Sequence, residues 1–116
     1  MTRVLLVEDE MFVRMLAEEE LAELGCTVTS AASGDEAHEI IRQGAQFDVL
    51  VTDIRMPGQI DGWALALLAR EAIPGIAIVY ASGFSGDTHE PIPGSQFLKK
   101  PYRTQQLHEA LQLSGT

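Results

Sequence analysis

Arg3-Val4-Leu5-Leu6-Val7 is apolar after its first residue and ends abruptly in Glu8-Asp9-Glu10. Such a run, with no polar alternation, suits a central parallel strand, where both faces of the strand are covered. A helix follows from about Met11 to Leu24. Val13, Leu16, Ala17, Leu21 and Leu24 recur at helical spacing, Glu18, Glu19, Glu20 and Glu23 fill other positions, and Gly25 supplies the stop. Thr27-Val28-Thr29-Ser30-Ala31 opens with β-branched residues and reads as a weaker strand near a sheet edge. Ser33 and Glu36 have the spacing of a capping box, opening a helix on Ala37, Ile40 and Ile41 that Gly44 ends.

The pattern then repeats. Phe47-Asp48-Val49-Leu50-Val51-Thr52 is a second buried strand, running into Asp53. After the turn Met56-Pro57-Gly58-Gln59, Asp61 can cap a helix carrying Trp63, Leu65, Leu67 and Leu68, which Pro74-Gly75 breaks. Ile76 to Ala81 is the fourth strand, ending at Ser82-Gly83. The interval from Phe84 to Gly94 holds Gly86, Pro91, Pro93 and Gly94, so the expectation there is a loop with at most one or two helical turns. Ser95 to Lys99 forms a short fifth strand, and Pro101 leads into a last helix with Leu107, Ala110 and Leu111 on its apolar side. Ser114-Gly115-Thr116 should fray. Strand and helix thus alternate five times. Right-handed crossovers lay such a chain down as a doubly wound α/β fold, a parallel sheet with helices on both faces, and functional groups gather beyond the carboxyl ends of the strands.

Composition narrows the function. The chain has 116 residues, 46% hydrophobic and 22% charged, which suits one globular domain over residues 1–116 and excludes a disordered or fibrous chain. No stretch approaches the roughly 18 uncharged apolar residues of a membrane span. Nothing near the start resembles a signal peptide, so a cytoplasmic location is expected. Seventeen acidic against eight basic residues leave a formal net charge of −9. That charge disfavours nucleic acid and anionic lipid and favours a cation or a basic protein partner. Cys26 is the single cysteine, so an intrachain disulfide and a cysteine-based zinc site are both excluded. It reads as a small buried hydrophobe. His38, His89 and His108 read as surface residues.

The strand ends carry the chemistry. Glu8 and Asp9 end the first strand, Asp53 the third, Ser82 the fourth, and Lys100 follows the fifth. If the first and third strands are neighbours, three carboxylates meet in one concavity, where like charges raise one another's pKa values. A hard divalent cation resolves that conflict, and Mg²⁺ takes oxygen ligands, commonly one or two carboxylates together with a phosphate. A carboxylate can act as a nucleophile towards phosphorus, and catalysis of phosphoryl transfer is mostly positioning and charge neutralisation. Lys100 could pair with a phosphoryl oxygen and the Ser82 hydroxyl could donate to another. Lys99 reads as a solvated neighbour.

These residues together resemble a response-regulator receiver domain, the phosphoacceptor module of bacterial two-component signalling. The marks are Val4-Leu5-Leu6-Val7-Glu8-Asp9-Glu10, Asp53-Ile54-Arg55-Met56-Pro57 with Asp61-Gly62, Ala81-Ser82-Gly83, and Lys99-Lys100-Pro101-Tyr102, spread from Val4 to about Leu111. The resemblance implies a flavodoxin-like strand order 2-1-3-4-5, an order for which a member of this family serves as a standard example. It implies Asp53 as the phosphorylated residue, Mg²⁺ held by Asp9 directly and Glu8 through water, and the Arg55 backbone carbonyl as a further ligand. Ser82 and Phe97 would be switch residues, although Phe97 is equally a core aromatic. It also implies a cis peptide before Pro101. A histidine kinase or phosphotransfer protein would be the donor, and a protein target or output domain would receive the signal.

The chain departs from the family pattern in four places. Gly58-Gln59-Ile60 is one residue longer than the commonest spacing. Arg55 and Phe84, each two residues after a site residue, are bulky enough to shield an acyl phosphate from water. The interval 83–94 suggests a short or degenerate fourth helix that orders on phosphorylation. No output domain or DNA-binding motif is expected within the few residues after the last helix. The expected activity is self-catalysed phosphorylation and dephosphorylation rather than enzymatic turnover of a metabolite. A Mg²⁺-dependent aspartyl phosphatase would place an acid at position 55, where Arg55 stands. A flavin-binding protein would need a neutral phosphate loop in place of Glu8-Asp9-Glu10. A binding module that never turns over would not need all the expected site groups, which are present.

Overall fold

The computed structural model describes residues 2–82, 92–100 and 104–113. Five strands, β1 (Arg3–Val7), β2 (Thr27–Ala31), β3 (Val49–Asp53), β4 (Ala77–Ser82) and β5 (Gln96–Lys99), form one sheet. The order is β2-β1-β3-β4-β5 and every pairing is parallel, which is the order implied by the resemblance. The helices among the described residues are α1 (Met11–Glu23), α2 (Gly34–Arg42), α3 (Gly62–Ala72) and α4 (Thr104–Leu113).

The unbroken apolar runs of β1 and β3 are explained by two cores, one on each face of the sheet. Leu5, Val7, Leu50, Ile78 and Tyr80 point to one face, where Ala37 and Ile41 of α2 and Leu65, Ala66 and Ala69 of α3 cover them. Val4, Leu6, Val49, Val51, Val79, Ala81 and Leu98 point to the other, against Ala17 and Leu21 of α1 and Leu107, Ala110 and Leu111 of α4. Each fully buried Leu, Ile or Val contributes roughly 1.5–3 kcal/mol. Among the described residues β2 pairs only with β1, so it is the edge strand its weaker pattern suggested.

Local signals place the helix starts. Ser33 accepts the Glu36 N–H at 3.1 Å, and the Glu36 side chain reaches back to the N–H of Ala32, one residue earlier than the reciprocal bond of an ideal capping box. Asp61 caps α3 by accepting the Ala64 N–H at 2.9 Å.

Four expectations need correction. Leu16 and Leu67 lie on solvent-facing sides of their helices, 57% and 64% exposed, while α1 fills the core with only Ala17 and Leu21. Phe47 is buried but precedes β3, which begins at Val49, and the Asp48 side chain accepts the Arg3 backbone N–H at 2.8 Å. Cys26 is half-buried at the rim of the second core. His38 is half-buried, whereas His108 is exposed as expected. The interval 83–91, with Phe84 and His89 and the expected degenerate helix, lies outside the described residues, as do Pro101 with its peptide bond and Tyr102.

Candidate functional site

Parallel pairing of β1 with β3 brings two acidic strand ends together. Val7 stands opposite Thr52, so Glu8 and Asp9 emerge beside Asp53. One carboxylate oxygen from each of Glu8, Asp9 and Asp53 lies within 4.8 Å of the others. Asp53 stands opposite Ala81 of β4, and Ser82 opposite Lys99 of β5, which brings the remaining strand ends to the same edge of the sheet.

Lys100 crosses into this cluster. Its ammonium donates to Glu8 Oε1 and lies 3.1 Å from Asp53 Oδ2. The Glu8 side chain is only 5% exposed and that of Asp53 12%, so neither is fully solvated. Burial is the main reason that the Glu8 and Asp53 carboxyls are held above the ordinary carboxylate range, and Lys100 opposes it in both. Burial also works against the Lys100 ammonium, but Glu8 and Asp53 outweigh it and its pKa is raised. The site thus gathers three carboxylates around one ammonium, and its oxygen donors match the hardness of Mg²⁺.

The surrounding backbone holds these groups in place. The Ile54 N–H donates to Asp53 Oδ1 at 2.9 Å, which orients the carboxylate. Buried Thr52 donates its hydroxyl to the Asp53 carbonyl at 2.8 Å. Gly62 donates its N–H to the Ile54 carbonyl at 2.7 Å, and a Cβ there would sit inside van der Waals contact with the Asp53 carbonyl oxygen. Glycine is required at 62 because the chain closes tightly behind Asp53 before α3 begins.

The fold brings Glu8, Asp9, Asp53 and Lys100 together in one cluster. Arg55 is exposed on the loop after Asp53. Ser82 ends β4, and its side chain lies outside the described residues. Phe97 is 50% exposed, so it is not a core aromatic. Trp63 packs against Tyr80, with ring centroids 4.6 Å apart, and is a packing residue as its helical position suggested.

Three features escaped the sequence reading. Arg14 of α1 donates to the Glu8 carbonyl at 2.9 Å and pins the β1–α1 turn. Asp35 of α2 accepts N–H groups from the loop after Asp53. Met11, Phe12, Met15 and Leu16, between 52% and 74% exposed, form an apolar patch in the N-terminal half of α1. Of the four, the helical spacing Val13, Leu16, Ala17, Leu21 and Leu24 includes only Leu16.

Comparison with known proteins identifies the class. Residues 4–112 match the family model of the response regulator receiver domain, and the chain belongs to that family. It is 40% identical over 109 residues to the sensor kinase CckA of Brucella abortus, covering 90% of this chain but only 11% of that kinase. It is 32% identical to the response regulator receiver protein CpdR of the same organism, covering 92% of this chain and 91% of that one. The crystal structure of the response regulator TrrA from Thermotoga maritima, in complex with Mg²⁺-BeF, superposes with a TM-score of 0.85 at 28% identity, covering 98% of this chain and 99% of that one. Receiver domains act as two-component phosphoacceptors, bind Mg²⁺ at an acidic pocket, and pair with histidine kinases and phosphotransfer proteins. Among the described residues, no helix is long and apolar enough to cross a membrane.

Proposed function

We propose that Asp53 accepts a phosphoryl group from a partner histidine kinase or phosphotransfer protein in a Mg²⁺-dependent reaction. The observation that carries this is the convergence of Glu8, Asp9 and Asp53 within 4.8 Å, with the Lys100 ammonium 3.1 Å from Asp53. An Asp53 carboxylate oxygen attacks the donor phosphorus. The P–N bond to the donor imidazole breaks, and its electron pair leaves on the nitrogen, giving an acyl phosphate on Asp53. Glu8, Asp9, Asp53 and the Arg55 carbonyl would hold Mg²⁺, which when bound neutralises charge on the phosphoryl oxygens. Lys100, already aimed at Asp53, pairs with another of those oxygens, and the Ser82 hydroxyl donates to a third. Water later attacks the same phosphorus, releasing phosphate and restoring the carboxylate.

In this reading the chain catalyses its own phosphorylation and dephosphorylation and does not turn over a metabolite. Ser82 and Phe97 report the modified state by altering protein contacts, or the phosphoryl group is relayed onward. A net charge of −9 supports a protein partner in the cytoplasm and disfavours nucleic acid. The exposed residues Met11, Phe12, Met15 and Leu16 offer that partner an apolar surface on α1, the helix that follows Glu8 and Asp9 in the chain.

Intact mass after incubation with phosphoramidate and Mg²⁺ tests the proposal. One added phosphoryl group is expected, absent without Mg²⁺ and absent in Asp53→Asn. An adduct that persists in Asp53→Asn would refute the assignment. If no adduct forms, binding of beryllofluoride separates a slow site from one that cannot accept phosphorus.

A further inference from the structure

The loop from Ile54 to Asp61 carries the Arg55 carbonyl and is fixed at both ends. Gly62 anchors its end behind Asp53 through the 2.7 Å bond to the Ile54 carbonyl. Its middle is seated on the first turn of α2. The Asp35 carboxylate accepts the Ile60 N–H at 2.9 Å through Oδ1, and the Gln59 N–H at 3.2 Å through Oδ1 and 3.3 Å through Oδ2. The seat is close-fitting. A Cβ on Gly34 would overlap the Ile60 carbonyl oxygen. Gly58 has a φ of +101°, and a Cβ on it would lie 2.9 Å from Asp35 Oδ2. Two glycines thus let the loop backbone settle directly onto a carboxylate that satisfies two of its N–H groups.

We propose that Asp35 is a positioning residue for the Mg²⁺ site. It touches neither Asp53 nor the acidic cluster. Its effect runs through the loop: the backbone bonds at 59 and 60 set the path of residues 55–58, and so the direction of the Arg55 carbonyl. A carbonyl ligand contributes to a small, geometrically demanding cation only when it is held in place before the ion arrives. Groups that orient a ligand without touching the metal typically change metal affinity by about 10–100-fold. The inference rests on the phosphoacceptor reading above.

The test is calorimetric titration of the full chain with MgCl₂ alone, for the wild type, Asp35→Ala, Asp35→Asn and Asp53→Asn. Asp35 is exposed, so neither substitution at 35 disturbs the core. Asp35→Ala should weaken Mg²⁺ binding about tenfold. Asp35→Asn keeps an oxygen acceptor and should stay within about threefold of the wild type, because the bonds rather than the charge carry the effect. Urea midpoints in EDTA are measured alongside. An unchanged Mg²⁺ affinity in Asp35→Ala overturns the inference, whatever happens to its urea midpoint. Equal weakening in Asp35→Ala and Asp35→Asn overturns it too, since the loss would then follow charge. A wild type that binds no Mg²⁺, or an Asp53→Asn variant that binds it as tightly as the wild type, overturns the phosphoacceptor reading and the inference with it.

Discussion

Replacing Lys100 by Ala removes the ammonium that pairs with both Glu8 and Asp53. Glu8 is the more buried of the two, with a side chain 5% exposed, and it loses the ammonium hydrogen-bonded to Oε1. Asp53 loses the same ammonium at 3.1 Å. Removing one partner of a fully buried pair costs about 3–5 kcal/mol. Lys100 itself is 19% exposed, and solvent screening discounts the figure to about 2–3 kcal/mol. That is a large part of the roughly 5–15 kcal/mol that stabilises a domain.

The loss must also depend on pH. Burial holds the Glu8 and Asp53 carboxyls above the ordinary carboxylate range in the folded state. An acid with a raised folded pKa adds stability that is full below its unfolded pKa and is lost as pH rises through the folded value. Removing Lys100 takes away an influence that lowers both carboxyls, so they rise further. The deficit is therefore greatest near about pH 7.5 and shrinks towards about pH 5, as the carboxyls take up protons. Lys100's own raised pKa means that its contribution is full below the ordinary lysine range and fades only as pH rises through its folded value. Urea denaturation in EDTA, followed by Trp63 fluorescence, measures the deficit at both pH values. Saturating Mg²⁺ should recover part of it by supplying positive charge to the same oxygens. An equal deficit at both pH values, with no recovery in Mg²⁺, would show that Lys100 acts by packing and would refute the electrostatic account.

Gly62→Ala forces a Cβ against the Asp53 and Ile54 backbone, and should cost about 3 kcal/mol or more in a urea titration. A cost within about 0.5 kcal/mol would mean that the loop closes more loosely than described. Phe12→Ala removes an exposed side chain, so its urea midpoint should barely move. Its phosphorylation by a partner kinase should slow several-fold, with labelling by phosphoramidate unchanged. Equal kinase rates would exclude the α1 patch from docking. Arg55→Ala and Phe84→Ala should shorten the lifetime of phosphorylated Asp53 if these side chains screen the acyl phosphate, and unchanged decay in both would dismiss the idea.

The sequence by itself determined the alternation of strand and helix, the burial of both sheet faces, and the set of strand-end groups Glu8, Asp9, Asp53 and Lys100. Each of these signals is local. An apolar run of four residues, a capping serine or a glycine stop acts through its own backbone and immediate neighbours. The strand order came from resemblance, because pairing joins residues far apart in the chain. Tertiary structure alone decided which apolar helix positions face inwards. Leu16 and Leu67 match the helical period as well as Ala17 and Leu65 do, and the sheet selects between them by the face it covers. It also decided that Asp35 would hold the loop after Asp53, a contact between residues 24 and 25 positions apart. Such a contact leaves no periodic trace, since one aspartate in the first turn of a helix looks the same whether it favours the helix dipole or accepts the backbone of a loop packed against it.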